Sequence, residues 1–362
     1  MLKTVTGLFI VLALFLGNPF QAQAQDYPTE LTDMSLQELL ELHIADYRAG
    51  DENLFYKGRW TIGYQYAYVK MEGYRTGTVK HSAADIIKAT PAEPDVNKFI
   101  ITPTRMVQQM HLLSVMYNPT TRLGFLMTVP YVFQSTDHVS VAPNFGFFVI
   151  STHGISDMTL KTLFIPYQSS LSTVILQGAI GLPTGSINQT GLTPSSAVDG
   201  KPKTVPYTMQ LGSGTFSVEP GITYAGSTRL WNWGGETSGT IRIGNNKQKY
   251  RLGHRFLSSV WLTRRLSGWF APSTSVSLRR WGRVSGHDAR LPQRPDAAPV
   301  ANPRLQGGTR VELTLQLFIA APSGIFQGQR LSLNGSIPIY QSLNGPQLEA
   351  DGRLGASWQW TF

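Results

Sequence analysis

The chain of 362 residues contains no cysteine, and only 15% of its residues are charged. Without cysteine, disulfide bridges and thiolate metal sites are excluded, so stability must come from a continuous hydrogen-bonded ladder. Beyond the amino terminus, no stretch approaches the roughly 20 consecutive apolar residues that a membrane helix needs. A membrane protein with this sequence must therefore cross the bilayer with strands that close into a barrel.

The amino-terminal segment, residues 1–24, has the pattern of a cleaved secretory signal. Lys3 precedes an apolar run from Leu8 to Leu16, and Ala22-Gln23-Ala24 offers a small-x-small cleavage site. Its removal lowers the formal net charge of +9 by one, because the segment holds one lysine and no acid. The remaining positive charge fits attraction to lipopolysaccharide phosphates or anionic solutes. Nucleic acid is a poor partner, because no helix or arm concentrates the cations.

The carboxyl-terminal residues alternate between polar and apolar side chains and end on an aromatic residue. The polar row is Glu349, Asp351, Arg353, Ser357, Gln359 and Thr361, and the apolar row is Ala350, Leu354, Ala356, Trp358, Trp360 and Phe362. This period of two is typical of a strand between water and an apolar medium. It resembles the closing strand of bacterial outer-membrane barrels, whose final Phe is read by the barrel-assembly machinery. An edge strand of a soluble sandwich would rarely leave these aromatic residues uncovered.

The same alternation recurs along the chain and predicts an all-β fold. We place strands near residues 58–70, 104–117, 121–135, 154–167, 171–182, 214–226, 228–243, 250–265, 268–283, 307–320, 328–341 and 349–362. About twelve strands suit a single-chain bacterial barrel, which has an even number. The prediction is a transmembrane antiparallel up-and-down β-barrel over residues 58–362. A periplasmic segment, residues 25–57, precedes it and contains a short helix near residues 31–42.

The predicted connections alternate between short and long, which is the rule for outer-membrane barrels. The longer ones are residues 71–103, 136–153, 183–213, 244–249, 284–306 and 342–348. Counting back from Phe362 places both termini in the periplasm. The long connections are therefore expected on the outer side of a bacterial outer membrane.

The two faces of the predicted strands differ in polarity. Outward rows include Trp60, Ile62, Tyr64, Tyr66 and Tyr68, then Leu123, Phe125, Met127, Val129, Tyr131 and Phe133. Charged side chains belong in the lumen, since a midplane Arg or Lys facing lipid costs about 2–4 kcal/mol. The candidate lumen-lining residues are His111, Asp157, Lys161, Glu219, Arg310, Glu312, Arg330, Glu349, Asp351 and Arg353. They fit either a transverse field across an open pore or a salt-bridge network that seals it.

Two groups of residues invite a chemical interpretation. Met106, Met110 and Met116 with His111 would suit copper, but alternation puts His111 on the opposite face from the three methionines. We expect the methionines to face lipid and His111 to bond in the lumen. His138 and Ser140 resemble the lipid-facing pair of outer-membrane phospholipases, in which imidazole deprotonates the hydroxyl. No motif for a cofactor, a phosphate-binding loop or a metal is present.

Several short phrases resemble the outer-membrane barrel family named for the MetA pathway of phenol degradation. They are Met110-His111, Met116-Tyr117-Asn118-Pro119-Thr120, Val129-Pro130-Tyr131, Leu211-Gly212-Ser213-Gly214, Pro220-Gly221, Pro338-Ile339-Tyr340-Gln341 and Gly345-Pro346-Gln347-Leu348. The resemblance implies a porin-like channel for passive passage of a small solute, with aromatic molecules among the candidates, and no catalytic residue. The alternatives are a lipid hydrolase that uses His138 and Ser140, and a sealed structural or adhesive barrel.

Overall fold

The structure is a computed structural model that describes residues 55–362 apart from residues 94, 96 and 322. The predicted signal peptide, residues 1–24, and the predicted helix near residues 31–42 lie outside the described residues. In the described part of the chain, no helix is both long enough and apolar enough to span a membrane. The one α-helix described is α1 (Ala83–Ile86), which Ser82 caps by accepting from the backbone N–H of Asp85.

Strands make up most of the described chain, and their positions follow the predicted ones. They are β1 (Trp60–Gly77), β2 (Val79–His81), β3 (Ile101–Tyr117), β4 (Leu123–Ser140), β5 (Phe147–Ile155), β6 (Met158–Gln168), β7 (Ser172–Leu182), β8 (Thr190–Gly191), β9 (Lys203–Thr204), β10 (Ser217–Ser227), β11 (Trp231–Arg242), β12 (Tyr250–Arg251), β13 (Arg255–Arg264), β14 (Phe270–Trp281), β15 (Ser285–Gly286), β16 (Gly308–Ala320) and β17 (Gln329–Thr361). Short 3-10 turns lie at Pro194–Val198, Tyr207–Met209, Pro299–Ala301 and Pro303–Leu305.

The main sheet closes on itself because β17 pairs with β16 through its first half and with β1 through its second half. β17 folds back on itself, so that its first and second halves lie side by side. Ser332 Oγ lies 2.7 Å from Ser357 Oγ, and Arg353 donates to Ser336 Oγ at 3.4 Å. The ring therefore holds eleven strand elements and twelve passes of the chain, all antiparallel. The prediction of a closed barrel of about twelve strands is confirmed.

β5 and β6 form one pass of the wall that is interrupted by a β-bulge. β5 pairs with residues 131–139 of β4, and β6 pairs with residues 123–128. The pairing register shifts by one residue between these two stretches. β7 ends opposite Met158, the first residue of β6. β5 therefore has β4 as its only neighbouring strand. The wall next to β5 is therefore completed by a loop rather than by another ring strand.

The barrel is closed at a seam between the first and last strands. The backbone N–H of Trp60 donates to the carbonyl of Phe362 at 3.1 Å, and the N–H of Phe362 donates back at 3.0 Å. Closure pairs the backbone groups of both edge strands, as an apolar membrane requires. The terminal aromatic pair Trp360 and Phe362 packs at 4.8 Å between ring centroids.

Apolar side chains cover the outside of the wall. Trp60, Ile62 and Tyr64 on β1 are 38–45% exposed, while Thr61 and Gln65 on the opposite face of the strand are buried. On β4, Phe125, Met127, Tyr131 and Phe133 point outward in the same way. The predicted outward rows are confirmed on these strands, and an outer apolar surface with a partly polar interior is the arrangement of a transmembrane barrel.

The connections keep the predicted alternation of length. Short turns join β3 to β4 and β13 to β14, whereas the long connections 183–216 and 282–307 leave the opposite end of the barrel. The long connections do not extend freely into solvent. They fold over and into the outer mouth, where they carry buried apolar residues such as Val205, Met209 and Val300.

Candidate functional site

The lumen has one apolar side, which we call the apolar sector. It consists of the inner faces of β1 and β3 to β7, and its buried apolar side chains are Ala67, Val69, Met71, Met106, Met110, Leu112, Met116, Leu126, Val132, Ile150, Leu163, Ile165 and Ile175. Glutamine and threonine side chains lie between them, for example Gln108, which donates to Gln134 at 2.9 Å. Sequence reasoning missed this sector, because it assigned the inner face to polar residues alone.

The opposite side of the lumen carries the charges, and we call it the charged sector. Among the buried strand residues of the described chain, every Asp, Glu, Lys or Arg lies on β11, β16 or β17. They are Glu236, Arg242, Arg310, Glu312, Glu349 and Arg353. Burial of charge is costly unless partners compensate for the lost hydration. The charged sector is therefore expected to be a network rather than a set of independent groups.

Three arginines surround one carboxylate in this sector. Arg279 Nε donates to Glu312 Oε2 at 3.1 Å, and Arg310 Nη1 lies 3.8 Å from Glu312 Oε1. Arg353 also acts on this carboxylate electrostatically. Arg310 is fixed further by Gln341, whose Oε1 accepts from Nε at 3.1 Å. These four charged groups form a cluster with more cations than anions, which we call the arginine cluster.

A segment of the connection between β7 and β10 enters the lumen and packs on the wall formed by β4 and β5. We call residues 186–211 the inner loop. Its Met209 sulfur lies 3.0 Å from Thr136 Oγ1, and its Met209 carbonyl accepts from Thr152 Oγ1 at 2.9 Å. Gln134 Nε2 reaches the carbonyl of Gln210 at 3.4 Å. The inner loop therefore occupies the outer half of the lumen and covers wall residues that would otherwise face water.

The two ends of the inner loop cross at Gly185 and Gly212. A Cβ on Gly185 would lie 2.6 Å from the Gly212 Cα and 2.6 Å from the Leu211 carbonyl oxygen, so only glycine fits. The Asp157 carboxylate, which lies in the bulge between β5 and β6, accepts from the N–H of Gly185 at 2.9 Å and of Ser213 at 2.8 Å. The bulge thus supplies the anchor for both ends of the loop.

The substitution Gly185→Ala is expected to release the inner loop, because its methyl group would overlap backbone atoms that have no side-chain freedom to move. Tyr207 is 4% exposed in the native loop, and released chain would present it to protease. Chymotrypsin treatment of intact cells, followed by mass spectrometry, should detect cleavage after Tyr207 in this variant only. Gly178→Ala is the control, since a Cβ there meets nothing within 4 Å. Equal resistance of both variants would contradict the crossing as the loop's anchor.

Further connections form a cap above the inner loop. Lys88 in the first connection, whose side chain is 3% exposed, pairs with Asp296 at 2.8 Å. Arg294 and Lys88 hold the pKa of the Asp296 carboxyl well below its usual range. Tyr207 packs edge-on against Tyr250 at 4.9 Å, which joins the inner loop to the cap. These contacts tie the connections at the outer mouth to one another and to the inner loop.

A pocket lies beneath this cap, where the two sectors of the lumen meet. Met71 and Met106 line it from the apolar sector, and Trp281 and Arg310 line it from the other side. Val300 of the cap contributes to the same wall. At the other end of the lumen, Phe55 is fully buried in the same apolar cluster as Met116 and Leu126. The described structure thus narrows the lumen at both ends.

The predicted lumen-lining residues fall into several groups. The inner face carries Lys161, Glu219, Arg310, Glu312, Arg330, Glu349 and Arg353. Asp157 anchors the inner loop, and Glu349 is paired with Arg75 at 2.6 Å and Lys80 at 3.0 Å near the outer mouth. In the described residues, no group of three or more His, Asp or Glu side chains could hold a metal ion.

The prediction for β3 is wrong, because it exchanged the lipid-facing and the lumen-facing side of the strand. Met106, Met110 and Met116 are buried on the inner face, at 5%, 0% and 3% exposure. His111 lies on the outer face, where its Nδ1 is 2.7 Å from the Tyr64 hydroxyl and its ring packs on Phe133 at 5.6 Å. Both rows of β3 mix polar and apolar residues, so alternation alone could not identify the inner one. His111 joins a group of aromatic side chains on the outer face, where the Tyr64 hydroxyl is a hydrogen-bonding partner for its ring.

The prediction that Asp351 lines the lumen is also wrong. Its carboxylate lies on the outer side, 3.5 Å from Lys70 Nζ, and its side chain is 42% exposed. The pairing of β1 with β17 jumps from Lys70↔Gly352 to Met71↔Ala350. Asp351 is therefore the extra residue of a β-bulge, which shifts the inward and outward alternation by one position.

His138 and Ser140 do not form a lipid-facing pair. Both are buried on the inner face of β4, at 2% and 7% exposure. The His138 ring stacks on Phe148 at 4.8 Å, and Ser140 Oγ accepts from the N–H of Ala142 at 3.0 Å. The even positions of β4 point inward throughout the strand, so lipid has no access to this pair. The prediction of a lipid hydrolase at these residues loses its geometric basis.

Several solved structures are similar to this chain. An outer membrane channel from Pseudomonas putida F1 is 11% identical, with a TM-score of 0.56 over 86% of this chain and 98% of that chain. The toluene transporter TodX of P. putida is 9% identical, with a TM-score of 0.43 over 85% and 91% of the two chains. A FadL homologue of Pseudomonas aeruginosa is 9% identical, with a TM-score of 0.40 over 86% and 93%.

No protein-family model matches the chain, and no curated protein matches it either. The first of these structures shows that the chain has the fold of an outer-membrane β-barrel channel. A closed barrel of this type, with an apolar outer surface, places the protein in the bacterial outer membrane. Membership of the family named for the MetA pathway stays a prediction.

Proposed function

We propose that the protein is a channel for the passive uptake of small apolar solutes, aromatic molecules included, across the outer membrane. The apolar sector carries this proposal. A pore for hydrophilic solutes needs a polar lining along its length, whereas Val69, Met71, Met106, Met110 and Val132 form a buried apolar strip beside the lumen. Apolar side chains with a few polar groups are the usual lining of a small-molecule site.

The inner loop continues this strip. Met209 and Leu211 belong to the same apolar cluster as Ile150 of the wall, so loop and wall present one surface. Methionine side chains adapt to solutes of different shape, because they are unbranched and polarizable. The buried polar residues next to the strip, such as Gln65, Gln108 and Gln134, are uncharged, which keeps the desolvation of an aromatic solute inexpensive beside it.

Uptake of radiolabelled toluene by a Gram-negative host that lacks its own hydrocarbon channels tests the proposal. Expression of the protein is expected to raise the initial rate at least about fivefold, while the rate for arabinose stays unchanged. Met106→Gln should reduce the toluene rate, because it places an amide in the apolar strip. Met106→Leu is the matched control and should retain it.

Folded protein that leaves toluene uptake at the level of the empty vector would contradict the proposal and favour the sealed structural barrel. Faster uptake of arabinose than of toluene would instead indicate a pore for hydrophilic solutes. Heat-dependent mobility on gels confirms that each variant has folded into a barrel.

A further inference from the structure

We infer that the end of the barrel opposite the long connections is a docking surface for the acidic segment that precedes it, residues 25–54. The inference goes beyond the proposed function and does not depend on it, because no solute takes part. Its basis is opposite charge on the two parts of the chain. We call the connections at this end the inner rim, and they are residues 55–59, 118–122, 169–171, 228–230, 265–269 and 321–328.

The inner rim is basic. It contains no Asp or Glu, and four of its cations are exposed, namely Lys57, Arg59, Arg122 and Arg229. In the described part of the chain, none of these four side chains forms an ion pair. Exposed cations gathered without acids beside them create a positive potential that attracts an anionic partner.

Hydrogen bonds within the inner rim hold these cations in two groups. The N–H of Gly58 donates to the Asn118 carbonyl at 2.7 Å, which joins the start of the barrel to the turn that contains Arg122. On the other side of the ring, Arg265 Nη1 donates to the Arg229 carbonyl at 3.3 Å and joins two further turns. An anionic segment that lies across the rim can therefore meet cations on both sides.

The connections at the outer end of the barrel differ, because they carry both signs of charge. There Lys203 pairs with Asp199 at 2.6 Å, and Arg290 pairs with Asp288 at 2.7 Å. The outer cations thus find acids within their own connections, whereas the inner rim holds no Asp or Glu for its cations.

Residues 25–54 supply acids in excess. They contain one cation, Arg48, against eight of the 22 Asp and Glu residues of the chain. The eight acids are Asp26, Glu30, Asp33, Glu38, Glu41, Asp46, Asp51 and Glu52. The segment therefore has the charge that the inner rim lacks.

The position of Phe55 brings the acidic segment to the inner rim. Phe55 is fully buried in the same cluster as Met116 and Leu126, at the inner end of the lumen. The link of residues 43–54 spans at most about 40 Å, so the predicted helix near residues 31–42 stays close to the rim. Tethering gives an effective concentration on the order of millimolar, at which ion pairs that are weak one by one act together.

The inner rim and the predicted helix also match in their apolar residues. Leu36, Leu39 and Leu40 recur at helical spacing, and Glu38 and Glu41 lie between and after them. The turns of the rim expose large apolar side chains, which are Leu171, Leu230, Leu266, Ile325 and Phe326, at 53–90% exposure. A helix on the rim can cover some of this apolar surface while its acids meet the arginines.

Spin-label spectroscopy of the full mature chain, folded in an uncharged detergent, tests the inference. Because the chain has no cysteine, Gln37→Cys carries a single nitroxide label within the segment. We expect the label to be immobilised at low salt. The immobilised fraction should fall at least about threefold at about 0.5 M sodium chloride, where salt screens exposed charges.

Reversal of two rim charges, Arg122→Glu with Arg229→Glu, should mobilise the label at low salt to the same extent. The matched control is Lys201→Glu with Lys247→Glu, which reverses two exposed cations of the outer connections and should leave the label immobilised. Heat-dependent mobility on gels confirms that each variant has folded into a barrel.

A change on the segment itself gives an independent test. Glu38→Gln with Glu41→Gln leaves the barrel untouched and should also mobilise the label, because it removes acids that face the rim. A label that stays immobilised in this variant and in the reversed rim would overturn the inference.

Two further results would overturn it. Equal release of the label by the reversed rim and by the outer control would reduce the effect to net charge. A label that is mobile in the native protein, together with a rim-dependent preference for phosphatidylglycerol over phosphatidylcholine in mixed micelles, would assign the inner rim to lipid phosphates instead. Toluene uptake is measured separately, so each proposal can fail without the other.

Discussion

Replacement of residues 187–210 by a two-residue Asn-Gly turn is expected to expose the inner wall of the barrel to external reagents. This deletion is possible because the two ends of the inner loop already lie together. The N–H of Leu211 donates to the Ser186 carbonyl at 2.9 Å. A two-residue turn can join strands at such a hydrogen-bonded pair. Strands β7 and β10 then keep their positions, and Asp157 keeps its bonds to Gly185 and Ser213.

The absence of cysteine makes this exposure measurable with a single introduced thiol. Thr136→Cys places the thiol where Met209 covers the wall, at a residue that is 3% exposed. We expect a membrane-impermeant maleimide to label it in intact cells about a hundredfold faster when the inner loop is removed, because labelling of the native protein requires local opening. Val79→Cys, at a site 59% exposed on β2, should react rapidly in both backgrounds.

A second, shorter deletion controls for the effect of cutting the same connection without removing the part that packs on the wall. Residues 193–201 form the tip beyond β8 and β9, where Val198 is 89% exposed. Leu192 and Pro202 would then join the two strands as a short turn. The cysteine at position 136 should remain protected in this variant. Rapid labelling in the tip deletion, or slow labelling after removal of residues 187–210, would show that another element covers the wall.

The barrel could be predicted from the sequence because its physical cause is local. A strand between lipid and an interior leaves a period of two in the residues themselves, so the strand positions and the alternating loop lengths were visible without a structure. The outward rows on β1 and β4 followed from the same pattern. The bulges were not visible in it, since the extra residue in a bulge has no compositional mark. Asp351 was therefore assigned to the wrong face.

The site was less predictable, because it depends on contacts between distant parts of the chain. Nothing local shows that Met209 returns to Thr136, or that Asp157 anchors Gly185 and Ser213 of another segment. One signal was available and was not used. Strand β4 carries apolar residues on both faces, with Leu126 and Val132 between the outward aromatic residues, and such a strand is expected to be buried on both sides.

Glu312→Gln is expected to lower the free energy of unfolding by about 3–5 kcal/mol, the range for breaking a buried ion pair from one side. The side chain of Glu312 is 9% exposed, and Arg279 and Arg310 both pair with it. Removal of the carboxylate leaves Arg279 and Arg310, whose side chains are 13% and 3% exposed, to repel each other where solvent screens charge weakly. Urea unfolding of the protein in lipid vesicles, followed by tryptophan fluorescence, measures the change.

The double variant Arg279→Gln with Glu312→Gln separates repulsion from the loss of packing. Since it removes one cation along with the anion, it should be more stable than Glu312→Gln alone, with a coupling energy of about 1–3 kcal/mol. Asp351→Asn provides the contrast, because Asp351 and Lys70 are paired on the outer side with side chains 42% and 39% exposed, and solvent screens them. That variant should show no measurable change.

The comparison decides whether the charged sector is a network or a set of separate groups. If Glu312→Gln were no less stable than Asp351→Asn, the three arginines would have to be hydrated in the folded protein, which would imply an open, water-filled lumen beside them. If the loss of stability in the double variant equalled the sum of the losses in the two single variants, the residues would act independently. A positive coupling energy together with a large single effect is expected only when the cations are enclosed and share one counter-charge.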